Sequence, residues 1–144
     1  DAGQEDRVIE LAETARSAKD AAKAVGCELG AIVKSLVFAI DDQIVMALVA
    51  GDHICQEDHL PAALSLRGTV RCLQATEVKQ VTGFTIGGVA PIGLSSALPM
   101  VIDHSLQRFR TIYAAAGHPH CVFPTTVRDL NHMTGGILSS HIAE

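Results

Sequence analysis

Residues 30–40 read GAIVKSLVFAI, an apolar, β-branched run interrupted by Lys34 and Ser35. Side chains alternate across a strand. A strand from about Ile32 to Ile40 therefore puts Ile32, Lys34, Leu36, Phe38 and Ile40 on one face and Val33, Ser35, Val37 and Ala39 on the other. Both sets have the composition of an interior. An ammonium placed there loses its hydration unless a cavity, an anion or several carbonyls receive it. Three readings of Lys34 stay open at this level. It projects into a polar pocket and binds an anionic ligand; its pKa is depressed and it serves as base or nucleophile; or its stem packs on the core from an edge strand while its head reaches water.

Working outward, the turn DDQ at 41–43 and the run IVMALVA at 44–50 predict a second buried strand and hence a hairpin. Upstream, Ser17 followed by Asp20 resembles a capping box, and AKDAAKAV predicts a helix that Gly26 stops. Downstream, QEDHLPAALSL predicts a helix with Pro61 tolerable in its first turn and Gly68 beyond its end. TVRCLQ reads as a short strand, and Thr76 can cap a brief helix over EVKQV. LPMVID, TIYAAAG and HCVF read as strands, and TTVRDLNHMTGG as a capped helix closed by glycine. Several strands with scattered short helices and no regular βαβ alternation predict a mixed α/β, α+β-like fold: a mixed sheet or partly closed barrel. No linker, repeat or low-complexity segment divides the chain, so residues 1–144 are expected to form a single domain. The first residue is Asp1 rather than Met, from which a truncated native N-terminus is expected.

Composition removes several classes of function. With 48% hydrophobic and 19% charged residues the chain is not disordered in character. No apolar run approaches the ~18 residues of a membrane span. A net charge of −5 argues against broad phosphate-driven binding to DNA or RNA, while leaving room for a local basic pocket around one end of a polyanion. Aromatic residues are 3% of the chain and Trp is absent, which argues against a stacking platform for single strands. Cys27, Cys55, Cys72 and Cys121 form no C-x-x-C pair, and a reduced, cytoplasmic protein is expected.

Beyond Lys34, three features carry candidate chemistry. TGFTIGGVAPIGL at 82–94 matches neither G-x-G-x-x-G nor a P-loop, since Leu94 stands where the P-loop lysine would be. Its glycines either let the backbone approach a ligand, with Pro91 stiffening the loop, or form a bulged turn. GHPHC and GDHIC bring His118, His120 and Cys121, and Asp52, His53 and Cys55, into two short clusters. Zinc takes such ligands, but no matching half-site exists, and loop-wall or solvent-facing histidines are the favoured reading, with no metal expected. Cys121 beside His120 is a poor nucleophile–base pair, because sequence neighbours rarely face each other correctly. Asp103, closing LPMVID, either pairs with a cation in a pocket or caps the turn HSLQRF, capping being favoured.

IVKSLVF, TGFTIGGVAPIGL, LPMVID and TIYAAAG, in this order and spacing, resemble the YbaK/ProX-type aminoacyl-tRNA deacylase family, related to the editing domain of bacterial prolyl-tRNA synthetase. The resemblance covers about residues 14 to 140. It implies a twisted, barrel-like mixed sheet surrounded by short helices, and hydrolysis of the ester joining a wrong amino acid to tRNA. It implies that Lys34 holds the terminal adenosine or phosphate of the acceptor end, and that Gly87 and Gly88 approach the aminoacyl carbonyl. Ser35, Pro91, Gly93, Ala115, Gly117 and His118 become substrate-binding candidates on the same footing. It implies no cofactor, and a water activated largely by substrate groups such as the neighbouring ribose hydroxyl. The expected partner is the acceptor end of aminoacyl-tRNA, tRNA-Pro charged with Ala, Ser, Thr or Cys, with a synthetase or elongation factor as a candidate protein partner. Ser35, in place of the Thr usual in cysteinyl-tRNA deacylases, speaks against a specificity for cysteine alone. A non-catalytic module binding an aminoacyl or nucleotide ligand, or a partner protein, through the same pocket is the alternative.

Overall fold

The hairpin predicted around Lys34 lies at the centre of the molecule. The structure is a computed structural model, described over residues 9–10, 17–84, 89–92, 98–117 and 121–144. In chain order the elements are β1 (Ile9–Glu10), α1 (Ala18–Val25), β2 (Val33–Ile40), β3 (Gln43–Ala50), α2 (Leu60–Ala63), β4 (Val70–Cys72), α3 (Ala75–Thr82), β5 (Met100–Asp103), β6 (Ile112–Ala115), β7 (Cys121–Thr125), α4 (Val127–Thr134) and β8 (Ile137–Ser139). Short 3-10 turns occupy Leu29–Ala31, Glu57–His59 and His104–Arg108.

One mixed sheet of five strands runs in the order β4-β2-β3-β5-β8, antiparallel from β4 to β3 and parallel from β3 to β8. An antiparallel three-stranded sheet, β1-β7-β6, meets it through a bridge between Ile32 and Tyr113. This is the mixed α/β, barrel-like architecture expected from the sequence. Both faces of the hairpin are interior. Val33, Val37, Ala39, Met46 and Leu48 join Ile112, Ala114 and Phe123 of the second sheet in the cluster between the sheets. Phe38, Ile40, Val45, Ala47 and Val49 pack outward against Leu60, Leu64 and Ile142. Strand β3 is the most deeply buried element, with Val45 to Ala50 all at 0% exposure.

The predicted caps close both ends of α1 and α4. The Ser17 hydroxyl accepts from the Asp20 amide, and the Thr126 hydroxyl accepts from Asp129. Gly135 closes α4 at φ 68, a conformation that glycine adopts without side-chain strain. Two helix expectations need correction. Residues 56–66 form a 3-10 turn and only one α turn, Leu60–Ala63. Pro61 fixes its start, and Ser65 turns left-handed at φ 57 as Leu60 and Leu64 complete the buried contact. Thr76 is not a cap but lies inside α3. The N-cap is Gln74, whose amide donates to the Glu77 carboxylate at 2.9 Å. Strand β8 gave no sequence signal because Ile137 and Leu138 are largely exposed.

Candidate active site

Lys34 sits near the start of β2, opposite Val49 at the end of β3. Beyond β3 the chain turns back through Gly51, Asp52 and His53. The Gly51 amide donates to Ile32 and the His53 amide to Ala50. Gly51 is required here by space, because a Cβ would lie 2.3 Å from the Leu29 carbonyl oxygen. The turn lays the His53 carbonyl over the strand start, and the partly buried Lys34 amine donates to it. Only a hydrogen-bond acceptor at that point makes a lysine tolerable among Leu36, Phe38 and Ile40.

Parallel pairing delivers the end of β5 to the same place. Leu48 stands beside Ile102, so Asp103 reaches the turn that follows β3. Its carboxylate is 2% exposed and accepts from the Ala50 amide at 3.0 Å and the Ser105 amide at 2.9 Å. Capping was the favoured sequence reading of Asp103, and the Ser105 amide bond is that cap; beside it His53 Nδ1 lies 3.2 Å from Oδ2 and 3.2 Å from Ser105 Oγ. Outside this pair, Arg108 donates twice to Asp52, at 2.8 and 3.0 Å, and its guanidinium lies over the Phe109 ring. The Arg108 hydrogen bonds hold the Asp52 carboxyl below its ordinary range. Burial, reinforced by the Glu57 carboxylate, pushes the Cys55 thiol up to about 11, so at neutral pH it is a weak nucleophile.

Ser35 belongs to the other face. Among the described residues, β4 covers only Phe38–Ile40 on the outer edge of β2, and the next contact on that side is the Ile32–Tyr113 bridge. Against this edge lies a slot of about 120 Å³, lined by Ser35, Val37, Cys72, Leu73, Val78 and Val89 among others. Its walls are mostly apolar. The Ser35 hydroxyl is buried with no hydrogen-bond partner among the described residues.

The other predicted site residues are distributed as follows. Pro91 is buried beside Val89 and Ala90. Ala115 ends β6, paired with Val122. Gly117 turns at φ 93, and a Cβ there would lie 3.0 Å from the Phe84 ring, so the end of β6 abuts the start of the glycine-rich stretch. Gly87, Gly88, Gly93 and His118 lie outside the described residues, as does His120. Among the described residues no group of three or more His, Cys, Asp or Glu is placed to hold a metal ion. The contacts of His53 with Asp103 and Ser105 are what sequence reasoning missed. His53 and Asp103 are 50 positions apart, and only parallel β3–β5 pairing joins them.

The family model for the aminoacyl-tRNA editing domain matches residues 12–133. The chain belongs to this family. A crystal structure of a candidate trans-editing enzyme for prolyl-tRNA synthetase superposes on this editing domain with a TM-score of 0.89 at 36% identity, covering 95% of this chain and 85% of that one. An uncharacterized protein of Bacillus subtilis (strain 168), YwhH, is 31% identical over 132 residues, 91% of this chain and 83% of that protein. The proline–tRNA ligase of Elusimicrobium minutum (strain Pei191) is 35% identical over 102 residues, 69% of this chain but 18% of the ligase. The editing domain described here is an aminoacyl-tRNA deacylase, as the sequence resemblance implied. No helix among its described residues is long and apolar enough to cross a membrane.

Proposed function

We propose that the protein clears tRNA-Pro mischarged with a small amino acid, Ala, Ser, Thr or Cys, by hydrolysing the ester between the amino acid and the terminal ribose. The observation that carries this reading is a lysine set at a strand start whose neighbour Ser35 opens, on the other face of the strand, onto a small, mostly apolar slot. Lys34 attracts the phosphate or adenosine of the acceptor end, and its anchor on the His53 carbonyl limits the rotamers it must give up on binding. The slot, at about 120 Å³, has room for about four waters at ~30 Å³ each, which suits a short side chain. Ser35 supplies one hydroxyl there. Backbone amides of the Gly87–Gly88 stretch are assigned the developing oxyanion, which needs donors placed in advance rather than a strong nucleophile. An editing enzyme has reason to exist because an apolar synthetase pocket separates near-isosteric side chains poorly.

The similarity of the chain to proline–tRNA ligases and to a candidate prolyl trans-editing enzyme supports tRNA-Pro as the adaptor. A synthetase or an elongation factor is the corresponding protein partner, in the cytoplasm where charged tRNA is used. The test is a deacylation panel: tRNA-Pro carrying Ala, Ser, Thr, Cys or Pro is incubated with the protein and amino-acid release is followed. At least one mischarged form should disappear at least tenfold faster than in buffer, with Pro-tRNA-Pro spared. Equal rates for all five, with and without protein, would refute the assignment.

A further inference from the structure

Lys34 meets the turn after β3 at one atom, the His53 carbonyl oxygen, and whatever fixes that oxygen fixes the amine. We propose that the tail segment 142–144 aims Lys34 through the single peptide unit joining His53 to Ile54, with Ile142 as the positioning residue that anchors the tail. The inference rests on the reading of Lys34 as the acceptor-end contact, and names the part of the chain that sets the direction of its amine.

The His53 carbonyl and the Ile54 amide belong to one planar, trans peptide unit, so they point in opposite directions and turn together. The Ile54 amide donates to the Glu144 carbonyl at 2.9 Å, and the Glu144 amide donates back to the Ile54 carbonyl at 3.1 Å. The Gln56 amide donates to the Ile142 carbonyl, and Cys55 stands opposite Ala143 in an antiparallel bridge. The tail is thus strapped to residues 54–56. Burial holds its far side, since Ile142 is 0% exposed and joins Leu60, Leu64 and Val101 in the outer cluster. The other contacts of the turn act elsewhere on it. Gly51 donates to Ile32 and His53 to Ala50, and the His53 ring meets Asp103 and Ser105. Among the described residues, only the strap engages the N–H of the unit whose oxygen receives Lys34.

The consequence runs from core to amine. Ile142 seats the tail, the Glu144 carbonyl holds the Ile54 N–H, and the His53 oxygen on the same unit is held toward the start of β2. One of the three ammonium hydrogens of Lys34 points at that oxygen, which leaves two for an anionic ligand. An amine held before its ligand arrives gives up less freedom on binding. Hydrogen bonds in line through one peptide unit also polarise each other, so the Glu144 contact makes the His53 carbonyl a better acceptor. The tail takes no part in bond making or breaking; it acts only through Lys34.

The experiment loosens the strap at two points. Ile54→Pro removes the N–H itself, and because the Ile54 side chain is exposed the core loses nothing. Ile142→Ala withdraws the buried anchor. Ile54→Ala keeps the N–H and Ile142→Val most of the anchor, so they serve as matched controls. Lys34 is acylated with an N-hydroxysuccinimide ester and read by mass spectrometry against Lys19 and Lys23, both exposed on α1. Each loosened variant, shown to be folded by circular dichroism, should label Lys34 at least about threefold faster than its control, as local opening requires. On the mischarged tRNA that wild type clears fastest, each should lose about fivefold or more in kcat/KM, part of the 10- to 100-fold expected when Lys34 is removed altogether. In a Lys34→Ala background the same changes should cost less than about twofold, since the strap then has no amine to aim. A merely structural strap would cost the same factor in both backgrounds. Unchanged labelling in folded Ile54→Pro, or equal losses in the two backgrounds, overturns the proposal; Ile54→Pro decides alone should Ile142→Ala not fold. Faster labelling together with wild-type turnover in Lys34→Ala supports the strap and removes the acceptor-end reading. Unchanged labelling with a loss in Lys34→Ala removes the strap and leaves that reading standing.

Discussion

Lys34 and Ser35 are consecutive residues of one strand, yet they serve regions built on opposite principles. On the Lys34 side polar groups meet polar partners: amine to carbonyl, buried carboxylate to two amides and an imidazole, guanidinium to a second carboxylate. On the Ser35 side a hydroxyl faces an apolar slot with no partner among the described residues. The difference separates two kinds of work. A saturated network fixes atoms in place before a substrate arrives, which is what positioning requires. An unsaturated polar atom in an apolar wall costs stability until a ligand supplies its partner, which is what discrimination among side chains requires.

The sharpest way to break the saturated side is Asp103→Ala. It strands the Ala50 and Ser105 amides and frees the His53 ring, and a buried unpaired donor costs roughly 1–3 kcal/mol. We expect a loss of roughly 3 kcal/mol in urea unfolding; a loss below about 1 kcal/mol would show that the turn after β3 holds itself. Next in size, Lys34→Ala should cost deacylation about 10- to 100-fold in kcat/KM, since a charge-assisted contact is worth roughly 1.5–3 kcal/mol. Its unfolding midpoint should move little, and wild-type turnover in this variant would count against Lys34 as the acceptor-end contact.

The unsaturated side should respond with the opposite sign. Ser35→Ala removes a buried hydroxyl that has no partner among the described residues and should stabilise the fold by about 1 kcal/mol. At the same time, clearance of Ser- and Thr-charged tRNA should fall relative to Ala-charged tRNA. A destabilised Ser35→Ala protein would show that the hydroxyl has a partner after all. The smallest effect concerns Asp52. Its folded pKa is depressed, chiefly by Arg108, so its contribution to stability is present above its ordinary value of 3.8 and is lost as pH falls through the folded value. Both partners are substantially solvent-exposed, which limits the pair to under about 1 kcal/mol. Asp52→Asn should therefore flatten the stability–pH curve below about pH 4 by that small amount, as read by thermal unfolding; an unaltered curve would assign the acid sensitivity to other carboxylates.

The fold was legible where local chemistry and pattern agreed. The hairpin of β2 and β3 followed from two apolar runs around Asp41 and Asp42, and α1 and α4 from Ser17, Gly26, Thr126 and Gly135. It was illegible where tertiary contact overrode local preference. Thr76 has the chemistry of a cap, but Gln74 takes that place because Glu77 reaches back to its amide. Strand β8 exists because the exposed edge of β5 accepts it, not because Ile137 and Leu138 are buried. Of the candidate site, Lys34 and the glycine-rich stretch stood out as violations of pattern, a charge in a core run and a cluster of glycines. The Asp103–His53 pair violated no pattern, since an acid at a strand end and a histidine in a turn are ordinary when read one at a time.

The sequence by itself determined that a buried two-strand hairpin carries a lysine, because periodicity and hydropathy act within a few residues and are written in order along the chain. It left open whether the lysine meets an anion, a carbonyl or water. Which acceptor it found was decided by tertiary structure. Parallel pairing of β5 beside β3 brings Asp103 to the turn that carries His53, and the register of that pairing depends on contacts between residues some fifty positions apart. Local pattern does not encode such long-range register, so the cluster of Asp103 and His53 exists only in the folded chain.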